Sequence, residues 1–262
     1  MKSNAKPPES YQNRFLERDV AKDYACREYG AESYSTSIWS WQAPLVKSLL
    51  EEIERKDPAG RHLDFACGTG RITRLTEEIF AEVDALDISP AMVDLARATC
   101  ARARFSVGNI MEDPNLCPGP YASVTAFRLL LNLDPPLRLP VLAGLNQRLK
   151  PGGMLLINLH GNRHSLRQPA ILWKRWRHRK NPAAGGLMLN DMSREEVKRC
   201  LEASGFAVER MAGTGVLPPT VYRWPFRSLW SRIDRRLSGA RFLDRFCIDL
   251  IFVCKKKDPP AP

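Results

Sequence analysis

The chain has 262 residues, enough for one large α/β domain or a domain with an appended piece. Its 44% apolar and 26% charged residues are ordinary for a folded globular protein. Seven cysteines, an odd number without a Cys-x-x-Cys spacing, argue against a disulfide framework and a zinc site, so no metal is expected. No run approaches the roughly 18 apolar residues that span a bilayer. The polar N-terminus lacks an apolar signal core, so a cytoplasmic location is expected.

The net charge of +11 is concentrated in the C-terminal part of the chain. Residues 161–262 contain 21 Lys and Arg against 9 Asp and Glu, whereas the residues before them contain 19 against 20. Composition alone therefore allows a nucleic acid, an anionic membrane surface or an acidic substrate as the partner of the C-terminal third.

The N-terminal segment is polar at first and then rich in aromatic residues. Residues 1–10 are predicted to be a disordered tail, and residues 11–43 carry several aromatic rings among charged residues. Such rings have to lie on a folded domain to leave water. We therefore predict a single domain over residues 11–262, with residues 11–43 as an N-terminal cap. The simplest form of this cap is a helix that covers one edge of a sheet.

Residues 44–160 are predicted to form the core of the domain. Pro44 opens a helix with apolar residues at helical spacing, and this helix ends before the turn at residues 57–60. The next apolar run is predicted to be a buried strand, and Asp64 sits near its end.

A Gly-x-Gly turn follows this first strand. Gly68 and Gly70 lack side chains, so the backbone can turn sharply and a ligand can approach it closely. The helix that follows points free N–H groups at the same place. Thr73 occupies the position where a dinucleotide fingerprint has its third glycine, so the turn alone is weak evidence for a particular nucleotide.

An acidic residue ends the second predicted strand, residues 83–87. Asp87 lies seventeen residues after Gly70, where a βαβ unit places a carboxylate to accept from both ribose hydroxyls of an adenosine. Ser89 and Pro90 then predict the start of a helix, as its N-cap and its first residue.

Three more strands are predicted to complete the core. They cover residues 103–110 with an exit loop, 121–127, and 154–159 after the turn at residues 150–153. Their carboxyl ends should meet at the ligand-binding edge of an open parallel sheet.

Three sequence blocks resemble those of the class I S-adenosylmethionine-dependent methyltransferases. They are LDFACGTGRIT, VDALDISPAMVDLAR and LKPGGMLLI, and the resemblance covers residues 60–160 closely and 190–255 more loosely. It implies a doubly wound α/β fold with a seven-stranded, mostly parallel sheet whose last strand is antiparallel. It also implies that part of the cap, with Tyr34 and Trp39 as candidate substrate-binding residues, forms a lid over cofactor and substrate.

The resemblance implies S-adenosylmethionine as the cofactor and assigns its contacts. The methionine part would face Asp64 and the Gly68–Gly70 turn, the ribose would bind Asp87, and the adenine would bind Asn109, unless Asn109 is only a turn residue. The full set of predicted cofactor-binding residues is Asp64, Ala66, Gly68, Gly70, Asp87, Ile88, Met92, Asn109, Ile110 and Phe127, with Phe127 near the sulfonium.

Methyl transfer from a sulfonium mainly requires in-line positioning, and a base helps when the nucleophile is a hydroxyl. His160, at the end of the fifth strand, is the best-placed candidate, although a histidine at a strand end can equally be structural. His164 and Asn132 are second catalytic candidates, and Arg128 is a candidate substrate-binding residue.

The C-terminal part is predicted to contain two insertions. Residues 161–192 form a basic, irregular insert that is rich in Trp, Arg and Lys. This composition allows three alternatives: contacts with bases and phosphates, contacts with lipid headgroups, or a solvated helix. A helical insert at 224–246 places Leu229, Trp230, Ile233 and Leu237 on one face and arginines on the other. This pattern favours a membrane-surface contact or a lipophilic substrate channel, and its alternative is a helix that caps the sheet with its arginines in water.

The sequence therefore predicts a methyltransferase that acts on a small-molecule acceptor, lipophilic or natural-product-like, at an oxygen atom. A peripheral contact with an anionic membrane goes with this prediction. Two alternatives stay open: an RNA methyltransferase that uses the basic third, and a nucleotide-binding module without catalysis.

Overall fold

A computed structural model describes residues 34–169, 171–173, 176, 191–223, 226–238 and 240–258. The predicted disordered tail, the cap before residue 34 and most of the basic insert lie outside these residues. Within them, seven strands form one sheet with helices on its faces.

The sheet has the strand order β3-β2-β1-β4-β5-β7-β6. Strand β7 is antiparallel to both of its neighbours, and the neighbouring strands among β1 to β5 are parallel to each other. The predicted doubly wound, seven-stranded sheet with an antiparallel last strand is thus confirmed. The strands are β1 (His62–Phe65), β2 (Val83–Asp87), β3 (Arg104–Val107), β4 (Tyr121–Ala126), β5 (Leu149–Leu159), β6 (Phe206–Thr214) and β7 (Asp249–Lys256).

The helices cover both faces of this sheet. Along β5, Leu155 and Ile157 pack into one buried cluster and Met154 and Leu156 into another, because successive strand residues point to opposite faces. The α-helices are α1 (Tyr34–Lys56), α2 (Thr73–Ile79), α3 (Pro90–Arg97), α4 (Arg138–Arg148), α5 (Arg194–Ala203) and α6 (Arg227–Ser238), and short 3-10 helices cover Pro135–Leu137, Pro219–Arg223 and Arg241–Phe246.

The predicted start of α3 agrees with the structure, and the start of α5 has a side-chain cap of the same kind. Ser89 caps α3 by accepting from the Met92 N–H, and Pro90 is its first residue. Ser193 and Glu196 form a capping box at α5, in which each side chain accepts from the other residue's backbone N–H. Both helices start where short-range hydrogen bonding dictates.

The predicted start of the first helix at Pro44 was wrong. Helix α1 begins at Tyr34 and runs through Pro44, so the cap and the first core helix share one element. Proline removes one helical hydrogen bond, but contacts on both sides of it hold the helix: Trp39 stacks under the Arg71 guanidinium at 4.3 Å, and Leu50 is fully buried against the sheet. Tertiary packing here overrides the local signal.

The segment between β6 and β7 is anchored by buried carboxylates. Asp234 of α6 is fully buried and accepts from the backbone N–H groups of Val216 and Leu217 and from the Tyr222 hydroxyl. Asp244 accepts from the Gly213 N–H at 3.1 Å. Because β7 runs against β5, this segment lies at the edge of the sheet where β5 ends.

Candidate functional site

One pocket opens at the carboxyl edge, among the segments that follow β1, β2, β3 and β4. This is the switch point of the sheet, because β1 is followed in space by β2 on one side and by β4 on the other. Its walls include nearly all of the predicted cofactor-binding residues. They are Asp64, Ala66, Gly68, Asp87, Ile88, Met92, Asn109, Ile110 and Phe127.

The two glycines of the turn have different surroundings. Both have positive φ, +54° at Gly68 and +81° at Gly70. A Cβ atom built on Gly68 would meet no atom within 4 Å, so this position faces open pocket space. A Cβ atom on Gly70 would lie 2.9 Å from Sγ of Cys100 and 3.0 Å from Cβ of Ala96. Gly70, which is not among the pocket-lining residues, therefore serves the close packing of the turn against α3.

Asp87 joins the turn after β1 to the start of α3. Its Oδ2 atom accepts from the Gly68 N–H at 2.8 Å and its Oδ1 atom from the Ser89 N–H at 2.9 Å. Burial raises the pKa of Asp87, and the backbone N–H groups oppose this shift. Each carboxylate oxygen has two lone pairs, so both can accept from ligand hydroxyls as well.

Asp64 lies deeper and is engaged by protein hydroxyls. It is 1% exposed, and its two oxygens accept from Thr73 at 2.6 Å and Thr125 at 2.8 Å. Burial raises its pKa to about 6, against the effect of these hydrogen bonds. Asp64 thereby ties α2 and β4 to β1, and it also forms part of the pocket wall. Thr73, the residue in place of a third glycine, has a structural partner.

Asn109 and Ile110 line the pocket after β3. The side-chain oxygen of Asn109 accepts from the Met111 N–H at 3.0 Å, and its amide donates to Glu112 at 3.0 Å. The side chain therefore shapes the turn, and the second amide hydrogen and the second lone pair stay available for an adenine. Ile110 is 6% exposed and supplies an apolar surface for a ring.

The segment after β4 contributes Phe127 and two further predicted residues, Arg128 and Asn132, to the pocket. Arg128 has φ +58°, and its backbone N–H donates to Oδ1 of the buried Asn158 at 2.6 Å. This unusual backbone conformation turns the chain away from the strand at the pocket wall.

The two candidate histidines occupy different environments, and neither is among the pocket-lining residues. His160 lies beside the pocket, where burial and the charges of Arg128, Arg71 and Arg167 lower its pKa well below the usual value. Its Nδ1 atom is buried without a hydrogen-bond partner among the described residues. His164 is on the surface, with Nδ1 3.9 Å from Glu195 of α5.

Helix α1 contacts a pocket-lining residue through one of the two predicted lid residues. Trp39 lies under the guanidinium of Arg71, a pocket-lining residue. Tyr34 is the first residue of the helix, and its side chain lies outside the description.

Two residues in or beside the pocket were not predicted: Arg71, which lines it, and Asp249, which lies near Arg71 and Arg128. Arg71 directly follows the glycine turn, a position that could have marked it as facing the ligand. Asp249 begins β7, and only the antiparallel direction of that strand brings a strand start to the carboxyl edge. Gln42 of α1 donates to Asp249 at 3.5 Å and to Thr214 at 2.9 Å.

The fold and the site define a nucleotide-binding α/β domain of the class I methyltransferase type. A family described as "Methyltransferase domain" matches residues 38–210. The chain belongs to this family, which confirms the predicted class I S-adenosylmethionine-dependent methyltransferases and their cofactor. The residues present fit this cofactor, since an open glycine turn, a carboxylate at the second strand and an apolar wall share one pocket.

Two curated relatives and one solved structure are similar to the chain. It is 28% identical over 105 residues to ubiquinone biosynthesis O-methyltransferase of Xanthomonas campestris pv. campestris, covering 38% of this chain and 43% of that protein. It is 28% identical over 143 residues to malonyl-(acyl-carrier protein) O-methyltransferase of Serratia marcescens, covering 53% and 55%. The chain thus spans about half the length of the curated relatives it matches.

The solved structure is magnesium protoporphyrin IX methyltransferase of Synechocystis PCC 6803 with bound SAH. Its TM-score is 0.62 at 14% identity, over 94% of this chain and 97% of that chain. At this identity the likeness shows the fold.

Two kinds of feature are absent from the described residues. No described helix combines the length and the apolar character that crossing a membrane requires. No group of three or more His, Cys, Asp or Glu side chains in the described part is arranged to hold a metal ion.

Proposed function

We propose that the protein transfers a methyl group from S-adenosylmethionine to an oxygen atom of a small, lipophilic acceptor. The observation that carries the proposal is the pocket at the switch point, in which Asp87 and the open position at Gly68 stand where a ribose and a methionine part would lie. The family match supports methyl transfer, and the names of both curated relatives support oxygen as the acceptor atom.

The chain's own residues would mainly orient the reactants. Asp87 would bind the ribose, Asn109 and Ile110 the adenine, and Phe127 would shield the sulfonium from water. S-adenosylmethionine, when bound, supplies an electrophilic methyl group, so in-line positioning provides most of the rate enhancement. Arg128 and Asn132 follow Phe127 in the chain and also line the pocket. They would contact the acceptor.

His160 is the proposed general base. A base works best when its pKa is near the working pH. Burial and the surrounding arginines hold the pKa of His160 well below its usual range. In the free protein this histidine is therefore neutral and weakly basic. Its use as a base requires that acceptor binding changes its electrostatic surroundings.

Isotope transfer tests the proposal. The purified protein is incubated with methyl-labelled S-adenosylmethionine and a metabolite extract, and the label is followed into organic-soluble metabolites and RNA. We expect protein-dependent label in a small molecule, with release of S-adenosylhomocysteine. Label in RNA would support the RNA methyltransferase instead. Donor binding without any transfer across several extracts would support the non-catalytic module.

We further propose that the insertion between β6 and β7 contacts an anionic membrane. Phe226 and Phe242 are each 76% exposed and Leu229 is 50% exposed. Exposed arginines accompany them in the same segment: Arg232, Arg235, Arg236 and Arg245. Apolar side chains among arginines match a surface of anionic headgroups over acyl chains.

The position of this insertion suits delivery of a lipophilic acceptor. The Asn162 side chain, in the loop after β5, donates to the carbonyl oxygens of Arg245 and Cys247. The insertion is thereby attached to the same edge of the sheet as the pocket. A membrane-bound acceptor would then be presented on the pocket side of the sheet.

Sedimentation with vesicles tests the membrane contact. We expect the protein to co-pellet with phosphatidylglycerol vesicles at low salt and to be released at high salt, because the arginines contribute through screened charges. The double variant Leu229→Glu/Phe242→Glu should lose this binding. Leu139→Glu, which changes a similarly exposed leucine on α4, is the control and should keep it. Absence of co-pelleting by the unaltered protein at low salt would contradict the proposal.

A further inference from the structure

Five buried polar side chains form a continuous row from the pocket wall into the interior of the domain. It is called the polar row here and consists of Asp64, Thr125, His62, Ser123 and Thr73, each at most 1% exposed. In the parallel ladder of β1 and β4, Asp64 pairs with Thr125. His62 pairs with Ser123 in the same ladder. Because residues two apart on a strand point to the same face, these four side chains lie on one face of the sheet. The pocket wall includes Asp64.

Short hydrogen bonds link the members of the polar row. The ring of His62 has Nδ1 2.7 Å from Oγ of Ser123 and Nε2 3.1 Å from Oγ1 of Thr125. Thr125 donates to Oδ1 of Asp64 at 2.8 Å, and Thr73 donates to Oδ2 at 2.6 Å. The His62 ring also stacks on Phe80 with 4.4 Å between the ring centroids, which fixes the plane of the imidazole.

The direction of these hydrogen bonds follows from the single proton of each hydroxyl. Thr125 donates its proton to Asp64, so its oxygen accepts from His62, and Nε2 of His62 therefore carries a proton. Burial lowers the pKa of His62 to about 3, against the charge of Asp84, so the ring is neutral. Its Nδ1 atom then has no proton and accepts from the Ser123 hydroxyl. All the hydrogen bonds along the two strands thus point toward the pocket carboxylate, and each strengthens the next.

This direction favours a negative charge on Asp64. Burial raises the pKa of Asp64 to about 6 and the charge of Asp87 adds to the rise, whereas the hydroxyls of Thr73 and Thr125 oppose it. The thiols near Asp64, those of Cys67 and Cys100, have pKa values raised by burial and stay neutral. While His62 donates to Thr125, the hydroxyl proton of Thr125 is left for Asp64. The opposite tautomer of His62 would draw that proton away from the carboxylate.

We propose that His62 is a positioning residue for donor binding. Through Thr125 it holds Asp64 as a carboxylate that faces the ammonium group of the donor's methionine part. This inference rests on the proposed function and adds a residue that lies two hydrogen bonds away from the pocket carboxylate. The ammonium group is the cation of the methionine part, so a carboxylate in the pocket wall stabilises it by charge.

The tautomer of His62 is the first test, and it needs no altered binding site. NMR of ¹⁵N-histidine is recorded on the complex with S-adenosylhomocysteine at mildly alkaline pH, and His62→Gln assigns the His62 signal by its loss. We expect a neutral ring with its proton on Nε2. A proton on Nδ1 instead, or a charged ring, would overturn the inference, because Thr125 would not then be directed at Asp64.

The second test compares two ligands by calorimetry. They are S-adenosylhomocysteine and its analogue in which hydrogen replaces the ammonium group, and we expect the protein to prefer the former. Thr125→Val removes a donor to a charged group and should lower this preference about tenfold, whereas Thr125→Ser keeps the hydroxyl and should keep the preference. The control is Tyr121→Phe, which removes a buried β4 hydroxyl that donates to Asp84 instead. It should leave the preference unchanged.

Variants of His62 separate positioning from packing. His62→Phe keeps a ring against Phe80 but cannot donate to Thr125, and it should lower the preference for S-adenosylhomocysteine about threefold. His62→Gln should restore most of it, because an amide can donate to Thr125 and accept from Ser123.

The remaining outcomes separate this inference from the proposed function. Equal binding of both ligands by the unaltered protein would overturn the inference and leave methyl transfer intact. An equal loss of affinity for both ligands in Thr125→Val and His62→Phe would also overturn it, because the polar row would then serve stability alone. Should either variant fail to fold, the His62 tautomer in the unaltered protein still decides. If S-adenosylhomocysteine did not bind at all, the proposed function itself would be refuted.

Discussion

Replacing Asp87 with alanine is expected to weaken the binding of S-adenosylhomocysteine by about one to two orders of magnitude. Two ribose hydroxyls would lose their proposed acceptor, and unpaired buried groups of this kind cost on the order of 1–3 kcal/mol. The Gly68 N–H would lose its partner as well, so the turn that faces the methionine part would be less well held. Calorimetric titration with S-adenosylhomocysteine measures the change directly.

Two further variants distinguish loss of the ribose contact from a general loss of folding. Asp87→Asn keeps one oxygen acceptor and should bind with intermediate affinity. Asp94→Asn changes an exposed carboxylate on α3, the helix that follows Asp87, and should bind like the unaltered protein. An Asp87→Ala variant that is folded and binds S-adenosylhomocysteine with unchanged affinity would show that the cofactor lies elsewhere.

The parts of the site that could be predicted from the sequence are those fixed by short stretches of chain. Gly68 permits a turn with positive φ, and Asp87 ends a strand immediately before the Ser89 cap. The position of each is therefore fixed by neighbours within a few residues. The strand order then follows from the fold family. Gly68 and Asp87 could therefore be predicted as cofactor-binding residues without knowledge of distant contacts, and both line the pocket.

The parts that could not be predicted depend on contacts between distant segments. Asp249 lies near the pocket-lining Arg71 and Arg128 because β7 inserts between β5 and β6 in the opposite direction. Gln42 contacts Asp249 because α1 continues through Pro44. Likewise, the depressed pKa of His160 comes from its burial and from arginines on three separate segments. The sequence suggested a histidine base at a strand end, but only the fold shows the burial and the positive charge that keep this histidine neutral.

The two glycines of the turn lead to the second prediction of large effect. The same substitution should mainly lower stability at Gly70 and mainly lower donor binding at Gly68. Both Gly68→Ala and Gly70→Ala place a side chain at positive φ, which costs about 1–2 kcal/mol. At Gly70 the new Cβ atom also presses on Cys100 and Ala96, and such overpacking adds about 1–3 kcal/mol. The free energy of unfolding should therefore fall further in Gly70→Ala.

Donor binding should show the reverse order. The Cβ atom of Gly68→Ala projects into open pocket space, where the methionine part would lie, so the affinity for S-adenosylhomocysteine should fall at least tenfold. Gly70→Ala, once folded, should bind more tightly than Gly68→Ala because its Cβ atom points at α3. Urea denaturation and calorimetry on both variants measure the two effects. If Gly68→Ala bound the donor normally, the open space at this turn would not be the place where the methionine part lies.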